Sequence, residues 1–285
     1  MRWQGRRESD NVEDARGSRA VRVGIGGGIG TLVLVLLVMY LGGDPTVLLQ
    51  NMPQSMPDGP GSGQPYQETA TEAQRREFVS VVLADTEDNW NTIFRSLGRS
   101  YEEPTLVLFS GAVQSACGFA QAAMGPFYCP ANHKLYIDLS FYDDLRNRFG
   151  APGDFAQAYV IAHEVGHHVQ TLLGISERVH SAQQRADQET ANALSVRMEL
   201  QADCLAGVWA HHADRVRHLL EAGDIEEGLN AASAIGDDRL QKQSRGYVTP
   251  ESFTHGSAAQ RVRWFRQGIE TGSLNSCDTF ASTRP

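Results

Sequence analysis

The first strong pattern in the chain is a run of uncharged, mostly apolar residues from Val23 to Gly43. These 21 residues are long enough to cross the hydrocarbon core of a bilayer as one helix. Six arginines and four acidic residues precede the run, so the positive-inside bias predicts a cytoplasmic basic leader, residues 1–22, and an external C-terminal domain. A cleaved signal peptide is the alternative, but the charged leader is long for one.

Two regions of different composition follow this predicted transmembrane helix. Residues 44–77 are rich in Pro, Gly, Ser and Gln and lack a sustained apolar pattern, which predicts a flexible linker. Residues 78–285 are enough for one domain with a substantial core. The formal charge of the chain is −9, and because residues 1–43 carry +2, the remainder carries −11. Such an acidic domain disfavours binding to nucleic acid and to anionic lipid headgroups.

Within the domain, the apolar positions follow helical spacing in some segments and strand spacing in others. This pattern predicts an α+β fold, mainly helical with a small sheet, behind one N-terminal transmembrane helix. Ser257 and Gln260 form a capping box for the last helix, and Gly272 is a plausible stop. The predicted helices cover residues 78–97, 154–173, 191–209, 214–221, 224–244 and 258–270, and the predicted strands cover residues 105–110, 127–129 and 134–138.

The helix that begins near Asp154 has start and stop signals at its ends. Asp154 is a plausible N-cap residue, and Gln157 three positions later completes a capping box. Gly174 lies where a C′ glycine would end the helix. The segment between them is therefore predicted to be one amphipathic helix.

This helix carries the sequence His-Glu-Val-Gly-His, a HExxH motif at His163, Glu164 and His167. Side chains four positions apart lie on one helix face, so the two imidazoles can bind one metal ion. Glu164 lies beside that metal, where its carboxylate can act as the general base toward water. The motif predicts a catalytic zinc site, which still needs a third protein ligand.

Glu199 is the candidate for the third metal ligand. It lies in another segment of helical period, one turn before Asp203, so both carboxylates project from one face. Asp203 could then accept the free ring N–H of a ligating histidine and hold its tautomer. Small residues at Ala202 and Gly207 would let this helix approach the HExxH helix closely. The alternative is that Glu199 and Asp203 belong to the solvated face of a surface helix.

Five segments together resemble the bacterial family of neutral zinc metallopeptidases, which are single-pass membrane proteins. The resemblance implies a zincin-like metallopeptidase domain with Zn²⁺ on His163, His167 and Glu199 and with Glu164 as the base. It implies no particular substrate. The segments are residues 1–16, Gly125-Pro-Phe-Tyr-Cys-Pro130, the HExxH helix, Glu199-Leu-Gln-Ala-Asp-Cys204 and Ser252-Phe-Thr-His-Gly256.

All four cysteines follow the predicted transmembrane helix, as expected for a domain in an oxidising compartment. Cys117 with Cys129 is the local pair, and Cys204 with Cys277 would tie the C-terminal tail to the Glu199 helix. Four cysteines allow three pairings, and the sequence does not choose among them. Zinc ligation is the alternative use, but no Cys-x-x-Cys spacing supports it.

Two further residues are candidates for stabilising the oxyanion of a tetrahedral intermediate. His255, just before the last helix, is the first choice, and Tyr247 is the second. Each could instead have a capping or packing role. His168 lies about 100° around the helix from His167, which favours a packed position outside the metal shell. In zincins a strand beside the active-site helix binds extended substrate; by resemblance, the hairpin at residues 125–140 is that edge or else an ordinary buried strand.

These features predict a membrane-anchored zinc peptidase, an endopeptidase that cleaves protein or peptide substrates outside the cytoplasm. The alternative is a catalytically silent zincin-fold interaction module at the membrane. Both histidines, Glu164 and an acidic third ligand are present, which favours the enzyme. Intramembrane proteolysis is disfavoured because the HExxH motif lies about 120 residues beyond the apolar span.

Overall fold

A computed structural model of the chain describes residues 1–17 and 66–282. Met1–Arg16 and the described residues from Glu68 onward form one compact unit. The predicted transmembrane helix, residues 23–43, lies outside the described residues, and none of the helices described is long and apolar enough to span a bilayer. The first sixteen residues, predicted to be a separate leader, belong to the same unit as the domain.

A four-stranded sheet joins the N-terminal segment to the domain. Strand β1 (Val12–Asp14) pairs in parallel with β2 (Thr105–Phe109), which pairs in parallel with β6 (Lys134–Asp138). Strand β5 (Phe127–Cys129) closes the order β1-β2-β6-β5 and is antiparallel to β6. The predicted β5–β6 hairpin is confirmed. Strand β1 was not predicted, because its sequence Val-Glu-Asp has no alternating apolar pattern.

A second hairpin, also not predicted, consists of β3 (Ala112–Ser115) and β4 (Gly118–Gln121). The Cys117–Cys129 disulfide links the turn of this hairpin to the end of β5. The second disulfide joins Cys204 to Cys277. Both predicted cysteine pairs are therefore present.

Helices make up most of the domain, which confirms the α+β prediction. The first helix begins at Ala70, eight positions before the predicted boundary, because Thr69 and Glu72 form a capping box there. Residues 214–221 are not a separate helix, and the predicted helix 224–244 is two helices separated at Gly236. The helices are α1 (Ala70–Ser96), α2 (Phe141–Asn147), α3 (Asp154–Leu172), α4 (Ile175–Gln183), α5 (Gln188–Arg215), α6 (Asp224–Ala234), α7 (Asp237–Arg245) and α8 (Ala258–Thr271).

The predicted capping box at the start of α3 is wrong. The N-cap residue is Gly153, and Asp154 instead accepts hydrogen bonds from the Met1 amino group at 3.0 Å. The Asp154 carboxylate therefore binds the Met1 amino group, which is distant in sequence, and does not cap the helix as predicted. The stop at Gly174 is confirmed, because this residue has φ +69°, which glycine adopts without strain.

The α8 cap is confirmed in full. Ser257 and Gln260 form the reciprocal capping box, and Gly272 ends the helix in the left-handed region.

Helix α3 is the centre of the core, and α5 crosses it at close range. A Cβ atom on Gly166 would lie 3.0 Å from the Ala202 carbonyl oxygen, so glycine is needed at this crossing. Ala202 thus has the predicted role. Gly207 has a different one, because its backbone faces Phe265 of α8, where an added Cβ would lie 2.2 Å from a carbonyl oxygen. The three helices α3, α5 and α8 hold the functional side chains.

Candidate metal centre

Three predicted ligands converge between α3 and α5. His163 and His167 lie one turn apart on α3, and Glu199 faces them from α5. The Glu199 carboxylate lies 3.1 Å from Nε2 of His163 and 3.4 Å from Nε2 of His167. One ligand atom from each of the three residues lies within 4.8 Å of the other two. The structure thus brings together the set that the sequence predicted.

The second ring nitrogen of each histidine is held by an acceptor. Nδ1 of His163 lies 2.9 Å from Asp203, and Nδ1 of His167 lies 2.8 Å from Oε1 of Gln170. A neutral imidazole that donates from Nδ1 presents the lone pair of Nε2. Two such nitrogens and a carboxylate are a donor set that suits Zn²⁺ with an open position. Asp203 is thus placed to accept the ring N–H of His163, as predicted.

Asp203 is the centre of a fully buried hydrogen-bond network. Arg261 of α8 donates from Nε and Nη2 at 2.8 and 2.9 Å, and the Tyr159 hydroxyl donates to the same carboxylate. Arg261 is 2% exposed and Asp203 is inaccessible to solvent. The guanidinium therefore balances a charge that would be costly to bury alone.

Sequence reasoning missed Tyr159 and Arg261. Tyr159 precedes His163 by one helical turn and had a detectable signal, because it lies on the same face of α3. Arg261 is one of several arginines in α8, and nothing local distinguishes it.

A chain of amides connects His167 to the second disulfide. Gln170 donates to the Met198 carbonyl at 2.8 Å and to Gln201 at 3.1 Å. Gln201 in turn donates to the Cys277 carbonyl at 2.9 Å. The disulfide-linked C-terminal segment is therefore connected by hydrogen bonds to the ring of His167, a candidate metal ligand. Gln170 was also missed, although its position three residues after His167 places it within reach.

The pKa values of the site residues reflect this crowding of charges. Burial lowers the pKa of His163, but Asp203 and Glu199 outweigh burial and raise it to about 10. Burial raises the pKa of Glu199, yet His167 and His163 hold it well below its usual range. Both shifts arise from the attraction between the imidazoles and the carboxylates. A metal cation that binds here must displace protons from the imidazoles.

Glu164 lies beside the ligands but has a different environment. It is 8% exposed, and burial raises its pKa above the usual value despite the nearby His167 and His163. A carboxylate with a raised pKa is better matched to proton transfer near neutral pH. Its position and raised pKa are compatible with the predicted role of general base.

A cleft of about 470 Å³ opens onto these residues. Its polar lining includes Glu164, His163, His167 and Glu199. The rest of the lining is largely apolar. It includes Met124, Phe127, Phe141, Phe149, Val160, Ile235 and Leu240.

The two candidate oxyanion donors are placed differently. His255 lines the cleft, and its Nδ1 lies 3.3 Å from Asp237. This hydrogen bond raises the pKa of His255, against the lowering effect of burial. Asp237 also accepts the backbone N–H groups of Thr254 and His255, at 2.7 and 2.6 Å, which holds the loop in place. Tyr247 is 63% exposed and is not among the residues that line the cleft.

His168 is packed outside the metal shell, as predicted. Its Nε2 lies 2.6 Å from the Glu102 carbonyl and its Nδ1 lies 3.0 Å from the Tyr128 hydroxyl. Burial lowers the pKa of His168 to about 4. The neutral ring thus fastens α3 to strand β5.

Strand β5 lies at the end of the four-stranded sheet, and the chain from Gly125 to Tyr128 lines the cleft. Its partner β6 lies inside the sheet with Leu135 and Ile137 fully buried. Of the predicted hairpin, β5 is thus the strand beside the metal centre, and β6 is an ordinary buried strand.

Comparisons with known proteins agree with this geometry. Residues 1–280 match the family described as "Putative neutral zinc metallopeptidase". The chain is 52% identical to the uncharacterized protein YpfJ of Escherichia coli K12, over 99% of this chain and all of the relative. It is 43% identical to the uncharacterized protein Rv2575 of Mycobacterium tuberculosis H37Rv, over 86% of this chain and 85% of the relative. No solved structure matches it. The chain belongs to the neutral zinc metallopeptidase family.

Proposed function

We propose that this protein is a zinc-dependent endopeptidase with a zincin-like domain. The observation that carries the proposal is the convergence of His163, His167 and Glu199 in one cleft with a buried carboxylate, Glu164. A structural zinc site is closed by four protein ligands, whereas three ligands and an adjacent carboxylate are typical of hydrolytic sites. Family membership supports the same reaction class.

The side chains have distinct tasks in hydrolysis. When bound, zinc polarises the scissile carbonyl and makes water more acidic. Glu164 accepts the proton of the attacking water on a carboxylate oxygen and passes it to the leaving amine. His255, whose pKa is raised by Asp237, donates a hydrogen bond to the oxygen that becomes negatively charged. Tyr247 is less suited to this role because it does not line the cleft.

The cleft also has features that fit an extended peptide. Strand β5 is at the end of the sheet, so its free backbone groups can pair with a substrate strand. The apolar lining from Phe141, Phe149 and Leu240 would bind a hydrophobic side chain next to the scissile bond. We therefore expect cleavage within protein or peptide chains beside a large apolar residue.

The test is digestion of a diverse peptide library by the full chain, read by mass spectrometry. The full chain is required because residues 1–16 are part of the folded unit. We expect cleavage by the wild type and none by Glu164→Gln with zinc content unchanged. Glu199→Ala should lose the zinc, and His255→Ala should retain it but cleave at least about tenfold more slowly.

Zinc retention by Glu199→Ala would contradict the ligand assignment. If the zinc-loaded wild type cleaves no peptide, the result favours the alternative function. That alternative is a catalytically silent module that only binds its partner. The membrane location and external orientation remain predictions from the sequence.

A further inference from the structure

The chain leaves the domain and returns to it at one point. Arg16 Nη2 lies 2.5 Å from Glu68, and its side chain is only 2% exposed. The same guanidinium also pairs with Asp14 at the end of β1. An ion pair therefore connects the residues on either side of the segment 17–67, which contains the whole apolar run of residues 23–43.

Residues 11–15 form a continuous ladder with β2. Val12, Glu13 and Asp14 lie opposite Leu106, Val107 and Leu108. The ladder continues at both ends, because the Leu106 N–H donates to the Asn11 carbonyl and the Ala15 N–H donates to the Leu108 carbonyl, each at 2.8 Å. Without these residues, β2 would be an open edge of the sheet.

The domain contains a buried charge whose hydrogen-bond partners lie in the N-terminal segment. Glu87 of α1 is 1% exposed, and it accepts from Arg7 at 3.2 Å, Ser9 at 2.5 Å and Asn11 at 2.9 Å. Among the described residues, the side chains that donate hydrogen bonds to Glu87 are those of Arg7, Ser9 and Asn11. A buried carboxylate without donors is strongly unfavourable. The domain is therefore complete only with residues 1–16 in place.

We propose that residues 1–16 and the domain from residue 68 onward lie on the same side of the membrane. A chain that crosses a bilayer once has its two flanking segments on opposite sides, where no strand ladder or ion pair can join them. Residues 44–67 contain several prolines and no second long apolar run, so a return crossing has no candidate. A single crossing of the bilayer between residues 16 and 68 is therefore incompatible with these contacts.

This proposal replaces the expected topology of a cytoplasmic leader with an external domain. It does not depend on peptidase activity, because it rests only on the contacts of residues 7–16.

The first test is a zero-length carbodiimide cross-link. Lys134 Nζ lies 2.7 Å from both carboxylate oxygens of Glu13, and Lys134 is one of only two lysines in the chain. Membranes that contain the full chain are broken open without detergent. They are then treated with the carbodiimide, and the protein is digested into peptides. We expect a peptide joined through residues 13 and 134, and its loss in Glu13→Gln. Absence of that peptide from membranes, when the purified folded protein yields it, would overturn the proposal.

The second test locates both segments separately. Glu8→Cys and Lys242→Cys place single thiols at exposed positions of the N-terminal segment and of the domain. Each variant is treated with a membrane-impermeant maleimide in intact spheroplasts and again after lysis. Labelling of both or protection of both before lysis supports the proposal and identifies the side. Labelling of one and protection of the other contradicts it.

Discussion

Among the described residues, the two least exposed carboxylates are Asp203, beside the candidate metal centre, and Glu87, beside the N-terminal segment. Asp203 is bound by Arg261, Tyr159 and His163, which come from two helices within the domain. Glu87 is bound from a short segment that is separated from the domain by residues 17–67. Burying a charge is tolerable in both places because donors surround it. The difference is that the cation beside Asp203, Arg261, is buried, whereas the cation beside Glu87, Arg7, is half exposed.

The largest expected effect is the loss of the charge that balances Asp203. Arg261→Met leaves this carboxylate buried without its cation, which should lower the free energy of unfolding by about 3–5 kcal/mol. Urea denaturation measures the loss. Arg266→Met, an exposed position on the same helix, is the control and should change stability by less than about 0.5 kcal/mol. Equal effects of the two substitutions would refute the special role of Arg261.

A third buried group, His168, should make the stability of the fold depend on acid pH, because its ring is neutral in the folded chain. Its pKa is about 4 in the folded chain and about 6.5 when unfolded, so protons favour the unfolded chain below pH 6.5. Stability should therefore fall by about 3 kcal/mol between pH 6.5 and pH 4 from this group alone. The check is the pH dependence of unfolding of zinc-free wild type against zinc-free His168→Gln, which should lack this component. Parallel curves would mean that His168 does not titrate as described.

The metal centre should respond to a residue that touches no metal. Gln170→Leu removes the acceptor of the His167 Nδ1 proton, and we expect zinc affinity to fall about 10- to 100-fold. Competition with a chromogenic chelator measures the affinity. Gln184→Leu, an exposed glutamine, should bind zinc as the wild type does. Unchanged affinity in Gln170→Leu would show that the ring of His167 needs no support.

The smallest effect should appear at the N-terminal segment, because losing the Ser9 hydroxyl leaves Arg7 and Asn11 as donors to Glu87. The Ser9–Glu87 hydrogen bond should show a coupling of about 1–2 kcal/mol in a double-mutant cycle of Ser9→Ala and Glu87→Gln. Zinc content should not change in any of the three variants. A coupling near zero would mean that Glu87 does not depend on this segment, and the contrast with Asp203 would then be lost.

The parts of the site that could be predicted are those with local spacing. His163, Glu164 and His167 follow from one helical turn, and Glu199 and Asp203 follow from another turn on a second helix. The α8 capping box and the stop at Gly174 depend only on residues within a few positions of each helix end. The two cysteine pairs were predicted by position, although the spacing left other pairings open.

The rest depends on contacts between residues far apart in the chain. Sequence determined which residues share a helix face, because helical period is set within a few residues. Only the tertiary structure decided that Arg261 balances Asp203 across 58 positions, that Asp154 binds the Met1 amino group instead of capping its helix, and that β1 completes the sheet. A short polar strand and one arginine among several have no local signal. Their roles come from the buried partners that folding brings to them, and burial is a property of the whole fold.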